Sequence, residues 1–214
     1  MFIGVSGLIG VGKSTFTKQL AGHFGESWKT YFEPVKTNPY LEDFYKDIPR
    51  WTFQMQMFLL AKRFEQHQEV IWDPCHRLGG GIIQDRTIYE DSVFARMHRE
   101  DGLMDDRDWD TYISHFNIMK RYLVYPDVIV YLRTTPDIAM ERINSRGRGA
   151  EEGMEMAYLN RLYEGYEDFA AEMGRYTVLV TLDWNEFKPV EEAAEAIMSA
   201  AETNQKFLRS IRRI

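Results

Sequence analysis

Gly7-Leu8-Ile9-Gly10-Val11-Gly12-Lys13-Ser14 fits the pattern Gly-x-x-x-x-Gly-Lys-[Ser/Thr], the phosphate-binding loop of phosphoryl-transfer and nucleotide-hydrolysing proteins. The spacing has a mechanical reason. Gly7 and Gly12 let the backbone curl so that its N–H groups converge on phosphate oxygens, and Gly10 and Thr15 belong to the same cradle. Lys13 then reaches the β- and γ-phosphates, and the Ser14 hydroxyl is placed to ligate Mg²⁺. Phe2-Ile3-Gly4-Val5 reads as a short buried strand before the loop, and Ser14 to Phe24 as a helix whose N-terminal end faces the phosphates. A chance Gly-rich turn would not come with that strand–loop–helix setting. The chain is expected to bind a nucleoside triphosphate.

Working outward, apolar runs near Phe2–Val5, Thr30–Phe32, Gly81–Gln84, Val128–Leu132 and Thr177–Leu182 read as strands. Helical patterns lie between and after them, at 14–24, 40–47, 50–71, 87–99, 107–121, 136–145, 154–173 and 189–201. That alternation predicts an α/β fold, a five-stranded parallel sheet flanked by helices on both faces. With no repeat, linker or break in composition, 1–214 reads as one domain.

Composition narrows the partners. A net charge of −7 argues against a broad nucleic-acid surface, which needs clustered Lys and Arg. The single cysteine, Cys75, excludes an internal disulfide framework and fits a reducing cytoplasm. No apolar run approaches the ~18 residues of a membrane span, and a strand starting at Phe2 leaves no room for a leader. The expected protein is cytoplasmic, with no membrane or nucleic-acid partner. The basic, amphipathic stretch from Lys206 to Ile214 reads as a last helix docking an apolar stripe, with a membrane or nucleic-acid contact as the other reading.

In parallel sheets ligands collect beyond the carboxyl ends of the strands. Glu33-Pro34-Val35 follows the second strand and Asp85-Arg86-Thr87 the third. Alone, Glu33 reads equally well as a solvated carboxylate and Asp85–Arg86 as a surface ion pair. Together at neighbouring strand ends they resemble a phosphoryl-transfer site. Glu33 can accept the proton of an attacking hydroxyl, Asp85 can hold Mg²⁺, and Arg86 can offset charge at the reacting oxygens. Arg142, Arg146 and Arg148 then place three guanidiniums within seven residues, among glycines. Arg142 and Arg146 share a helix face, and the glycines suit a lid over phosphates, at about 142–153. The plainer reading is a basic helix C-terminus favourable to the dipole. Gln56 and Arg63 stand two turns apart on one helix face, able to present donors and an acceptor to a planar base. Phe53, Met57, Leu60 and Phe64 would be the buried stripe of that helix, and a solvated Gln56–Arg63 face is the competing reading.

These elements resemble the deoxynucleoside kinase family, closest to the bacterial deoxyadenosine/deoxyguanosine kinases. The resemblance rests on the phosphate loop, Glu33-Pro34-Val35, the run from Asn38 to Tyr45, Arg50-Trp51-Thr52-Phe53-Gln54-Met55-Gln56 and the run from Gln84 to Asp91. Arg146-Gly147-Arg148, Tyr158-Leu159 and Thr181-Leu182-Asp183-Trp184-Asn185 extend it. It implies ATP-dependent 5′-phosphorylation of deoxynucleosides, purines preferred and deoxycytidine as a further substrate, with Mg²⁺ as cofactor. Glu33 would be the general base, Arg86 would hold the 5′-oxygen and the base, Lys13 and Arg142 would act on the transferring phosphoryl group, and Ser14 and Asp85 would serve the metal. Tyr45 and Glu151 would bind the sugar 3′-hydroxyl. Gln56, Arg63 and Asp91 would read the nucleobase edge, with Phe94 stacked on its face. Arg142, Arg146 and Arg148 would cover the ATP phosphates, and the Asp183-Trp184-Asn185 turn would meet the donor base. The family resemblance also implies a homodimer built through long helices. In two places the chain departs from the pattern: alignment after Asp91 needs a one-residue deletion ahead of Phe94, and Leu8 stands where relatives usually carry a polar residue or Pro. A nucleoside monophosphate kinase is the alternative, but segment 38–56 supplies only Lys46 and Arg50 for an acceptor phosphate. A non-catalytic P-loop switch is a further alternative; no Asn-Lys-x-Asp run is present to read guanine.

Overall fold

The β-branched and leucine-rich runs pair as five parallel strands, β1 (Phe2–Gly7), β2 (Trp28–Tyr31), β3 (Gly81–Asp85), β4 (Val128–Arg133) and β5 (Val178–Asp183), in the order β2-β3-β1-β4-β5. The computed structural model describes residues 1–33, 38–77, 79–147 and 153–211. β1 lies at the centre with every residue buried, which is why its sequence is continuously apolar or small rather than alternating. Register is fixed by pairs such as Val5 with Asp85 and Ile3 with Val128.

Helix α1 (Lys13–Phe24) packs on β1, β2 and β3, and α9 (Val190–Ile211) packs on α1, β4 and β5. The core residues Phe16, Leu20, Ala194 and Ile197 come from these two helices. The other cover is built from α3 (Ile48–Trp72), α5 (Asp91–Glu100), α6 (Asp106–Lys120) and α8 (Met156–Met173), which pack on one another. Tyr166 of α8 stacks on Tyr131 of β4 at 6.1 Å. Three further helices are described, α2 (Leu41–Lys46), α4 (Pro74–Arg77) and α7 (Pro136–Arg146). Leu8, the departure noted in the phosphate loop, is buried in the core.

Two expectations are refined. The helix expected over 87–99 begins instead with a 3₁₀ turn at Ile88–Glu90 and becomes α5 only at Asp91. One half of a capping box is formed there: the Glu90 carboxylate accepts from Thr87 N–H at 3.1 Å. The last helix, expected to stop at 201, runs on to Ile211, so the basic stretch is helical as far as that residue. Among the described residues no helix is long and apolar enough to cross a membrane.

β1 feeds the phosphate loop, and β2 and β3 end beside it. The chain thus opens a crevice at the carboxyl end of the sheet, where the connection from β1 runs to β2 on one side and that from β3 crosses to β4 on the other.

Candidate active site

The loop after β1 closes tightly because of its glycines. Gly12 caps α1 at φ 101°, a left-handed conformation, and Gly10 sits at φ 84°. A Cβ on Gly10 would stand 2.6 Å from the Ala139 carbonyl of α7, so both the torsion and the space require glycine. Inside the loop Lys13 Nζ donates to the carbonyls of Gly7 at 2.9 Å and Leu8 at 2.7 Å. Burial, helped by nearby Arg86, pulls the Lys13 ammonium down to about 7, against the pull of Asp85, Glu90 and Glu33.

Ser14 Oγ donates to Asp85 Oδ2, joining the loop to the end of β3. Asp85 Oδ1 is buried and has no hydrogen-bond partner among the described residues. Burial pushes this carboxyl up, opposed by Lys13 and Ser14. A hydroxyl and a carboxylate with an unsatisfied oxygen are the hard oxygen donors that Mg²⁺ takes, so Ser14 and Asp85 fit that ion.

Across the crevice, Glu33 follows β2 and meets two guanidiniums: Arg86 Nε at 3.1 Å, and Arg63 in a closer ion pair. Burial alone would raise the Glu33 carboxyl; Arg86 and Arg63 outweigh it and hold it at about 2. Arg63 also pairs with Asp91, so one buried side chain on α3 spans two carboxylates. Asp91 has no exposure, and accepts from Tyr112 at 2.7 Å and Gln56 Nε2 at 2.9 Å as well. It therefore stands behind the cleft wall and fixes Gln56 and Arg63, which line it.

Arg86 adopts φ 65°, the described chain's one left-handed residue other than glycine. Its guanidinium bonds the Tyr166 hydroxyl and lies 3.2 Å from Glu90, while Tyr166 donates to Glu90 at 2.7 Å. Glu90 also accepts from Ser6 at 3.1 Å. This buried set holds Arg86 in a conformation that side chains rarely adopt. Phe94 lies beneath both guanidiniums, 5.0 Å from that of Arg86 and 5.9 Å from that of Arg63.

One cleft of about 860 Å³ runs from the phosphate loop past Glu33 and Arg86 to Phe94, and it is lined as well by Tyr45, Arg142 and Arg146. Arg142 donates to the carbonyls of Val11 at 3.3 Å and Asn185 at 2.8 Å, and stacks 4.2 Å from the Phe187 ring. Asp183 caps its turn by accepting from Asn185 N–H at 3.1 Å. The Asn185 side chain accepts from Thr135 N–H at 3.0 Å, and Trp184 is buried edge-on against Phe16. The turn is thus tied down through Trp184 and Asn185, and it is Phe187 that is exposed at the cleft. Arg148 and Glu151 lie outside the described residues, as do 149, 150 and 152 of the segment read as a lid.

Sequence reasoning missed Glu90, Tyr112, Tyr166, His98 and Phe187. Glu90 was findable, because Thr87-Ile88-Tyr89-Glu90 is a capping-box spacing. His98 was findable too, one helical turn beyond Phe94. The two tyrosines come from distant helices, and only the fold brings them in.

The sequence model described as deoxynucleoside kinase matches residues 3–206. The deoxyadenosine kinase of Dictyostelium discoideum is 41% identical over 209 residues, covering 98% of this chain and 82% of that protein. The deoxyadenosine/deoxycytidine kinase of Bacillus subtilis is 38% identical over 212 residues, covering 95% of this chain and 94% of its own length. Among solved structures, the deoxyadenosine kinase of M. mycoides with the products dCMP and a flexible dCDP superposes with a TM-score of 0.80 at 30% identity, over 95% of this chain and 100% of that one. The same enzyme with bound dATP gives a TM-score of 0.79, also at 30% identity, over 93% of this chain and 97% of that one.

Proposed function

The chain belongs to the deoxynucleoside kinase family, and on that footing we propose that it moves the γ-phosphoryl group of ATP to the 5′-hydroxyl of a deoxynucleoside. Purine deoxynucleosides are the preferred acceptors, with deoxycytidine as a further one, since both deoxyadenosine and deoxycytidine occur in the names of its relatives. The observation that carries this reading is the position of Glu33. Its carboxylate shares one cleft with Lys13 and Ser14 and is aimed by Arg86 and Arg63.

The donor's phosphates would lie in the loop, drawing Lys13 Nζ away from the Gly7 and Leu8 carbonyls. Ser14 and Asp85 would hold Mg²⁺, which would supply positive charge against the donor's phosphates. The acceptor's 5′-oxygen forms the new bond to the γ-phosphorus, the bond to the β,γ-bridging oxygen breaks, and ADP carries away that electron pair. The 5′-hydroxyl proton passes to Glu33. A carboxylate held near 2 is a weak base, which suits a loose transition state in which that proton moves late. Arg86 holds the 5′-oxygen, and Arg142 and Arg146 spread charge off the transferring group, Arg148 being assigned with them by resemblance.

Gln56 and Arg63 meet the nucleobase edge, Asp91 acts through them as a positioning residue, and Phe94 supplies a stacking face. Tyr45 meets the sugar, with Glu151 assigned beside it by resemblance. On the donor side the Asp183-Trp184-Asn185 turn presents Phe187 toward the donor base. The whole is one kinase domain, 1–214, working in the cytoplasm as a homodimer. Support for the dimer is the exposed apolar surface of Ile118, Tyr122 and Val124 at the end of α6 and beyond, and light scattering of the purified protein tests it.

The test of the activity is a phosphorylation screen with ATP over the four deoxynucleosides, their ribonucleosides and their monophosphates. Fast turnover of deoxyadenosine or deoxyguanosine is the expected result. Turnover of monophosphates alone would remove Glu33 from the catalytic role.

A further inference from the structure

Glu90 is fully buried and lines no part of the cleft, yet four donors converge on its carboxylate. Oε1 accepts from Ser6 Oγ at 3.1 Å and from Thr87 N–H at 3.1 Å. Oε2 accepts from the Tyr166 hydroxyl at 2.7 Å and lies 3.2 Å from Arg86 Nη1, which also donates to Tyr166. Each oxygen faces one group that can only donate, so the ionised carboxylate is the form that fits. Taking such a charge out of water is costly unless it is paired and hydrogen-bonded, as this one is on every side.

Its partners belong to both halves of the site. Ser6 is the β1 residue just before Gly7, whose carbonyl holds Lys13. Arg86, four residues before Glu90, faces Glu33. Asp91, Arg63, Glu33, Arg86 and Glu90 thus form a chain of alternating charge, with Glu33 between two arginines. Glu90 engages Arg86 Nη1 while Glu33 faces Nε, and Nη2 has no hydrogen-bond partner among the described residues. Without the second carboxylate Arg86 would be free to close on Glu33 with two nitrogens, the favoured fork-like pairing, and occupy the oxygens that must meet the substrate.

We propose that Glu90 is a positioning residue for phosphoryl transfer: it keeps Arg86 from closing fully on Glu33 and fixes that guanidinium relative to the strand carrying the phosphate loop. The inference rests on the deoxynucleoside kinase reading and deepens it. In-line attack needs the 5′-oxygen within about 3–3.5 Å of the phosphorus, and a misplacement of about 1 Å can cost on the order of 100-fold. Glutamine at this position has the right shape, but its amide nitrogen must face donors whichever way it turns. Arg86 then shifts while the cleft walls stay in place, so the chemical step suffers more than the binding of either substrate.

The experiment is steady-state kinetics of Glu90→Gln and Tyr166→Phe, alone and combined, with ATP and the deoxynucleoside that the wild type phosphorylates fastest. Glu90→Gln should lower kcat by about tenfold or more while both KM values stay within about threefold. Tyr166→Phe keeps the ring in the core and removes the hydroxyl between Arg86 and Glu90, so kcat should fall by about threefold or more. Because both act through Arg86, the double variant should be little worse than Glu90→Gln alone. A merely structural role would lower the melting temperature and leave kcat of the folded enzyme alone. A kcat within about twofold of wild type in folded Glu90→Gln, a loss carried by KM alone, or losses that simply multiply in the double variant would each overturn the proposal and leave the kinase reading standing. Should Glu90→Gln fail to fold, Tyr166→Phe decides by itself, and an unchanged kcat overturns the assignment. A wild type that phosphorylates no deoxynucleoside overturns the kinase reading and this one together.

Discussion

Glu33 and Arg86 leave the ends of neighbouring strands and meet with a carboxylate oxygen 3.1 Å from the guanidinium Nε. Neither is there by default. Arg86 holds a left-handed backbone, and Glu33 is also tied to Arg63. The pair converts two loop residues into a fixed, charged feature of the cleft. Preorganisation of this kind is worth more than basicity when the reaction develops charge on phosphoryl oxygens.

Glu33→Gln keeps the shape and much of the hydrogen bonding but can take no proton and carries no charge. Turnover should fall by about 100-fold or more with the fold intact, as for loss of a general base. Steady-state kinetics with circular dichroism checks this, and near-wild-type turnover would remove Glu33 as the base. Because its folded value lies near 2, Glu33 is ionised at every ordinary assay pH. Its stabilising contribution is present above its unfolded value of about 4.5 and is lost only as pH falls toward 2.

Arg63→Ala is expected to do more than blunt base recognition. It takes the cation from between Glu33 and a fully buried Asp91, leaving that carboxylate with Gln56 and Tyr112 alone. Removing one partner of a buried pair typically costs about 3–5 kcal/mol. A urea midpoint should show a loss of that order, and the ranking of deoxynucleosides should change more than the affinity for ATP. A loss below about 1 kcal/mol would mean that Asp91 takes up a proton and goes neutral when Arg63 leaves.

The contrast between Glu33 and Asp91 shows where the sequence was legible. The phosphate loop, the five strands and the polar residues just after them could be read because each depends on local spacing: a glycine pattern, an apolar run, a strand end. What α3 and α5 do to one another could not be read in that way. Arg63 looked like a base reader on a helix face. The fold adds that it is a strut between two carboxylates, and that Asp91 acts from behind the wall. Tyr112 and Tyr166 escaped notice because an isolated tyrosine in an amphipathic helix looks like core until its hydroxyl finds a partner from elsewhere. Trp184, expected with its turn to meet the donor base, is buried edge-on against Phe16.

Lys13 makes binding of the donor sensitive to pH. Burial holds its ammonium near 7 in the free protein, down from 10.5, so above pH 7 most free molecules carry it neutral. A triphosphate favours the charged form, and binding above pH 7 must therefore take up a proton. Affinity for Mg·ATP should weaken as pH rises from 8 to 9, by up to about tenfold, with uptake approaching one proton near pH 8. Calorimetry in two buffers of different ionisation enthalpy measures the uptake. None at pH 8 would mean that Lys13 is already charged in the free loop. The same shift acts on folding with the opposite trend: between 7 and 10.5 the unfolded chain binds the extra proton, so this term favours the folded state increasingly as pH rises.

His67 sets the first loss of stability in acid. It is buried on α3 between the rings of Phe2 and Tyr89, at 5.7 and 6.0 Å, and its Nε2 accepts from Val124 N–H at 3.2 Å. That bond requires the neutral ring, since a protonated one would set two donors against each other. Burial holds it down to about 4, from 6.5. As pH falls below 6.5 the unfolded chain takes up a proton that the native chain refuses, so stability declines until pH passes about 4, by on the order of 3 kcal/mol. His98, also lowered to about 4, adds a second decline in the same window. The ion-paired Glu33 and Asp73 lose their contributions only at lower pH and Lys13 titrates near 7, so thermal melts of variant and wild type compared between pH 6.5 and 5 read the histidine. His67→Gln can keep an acceptor toward Val124 and cannot titrate. Its melting temperature should fall less steeply over that range than the wild type's, and parallel slopes would mean that His67 accepts its proton without leaving the native fold.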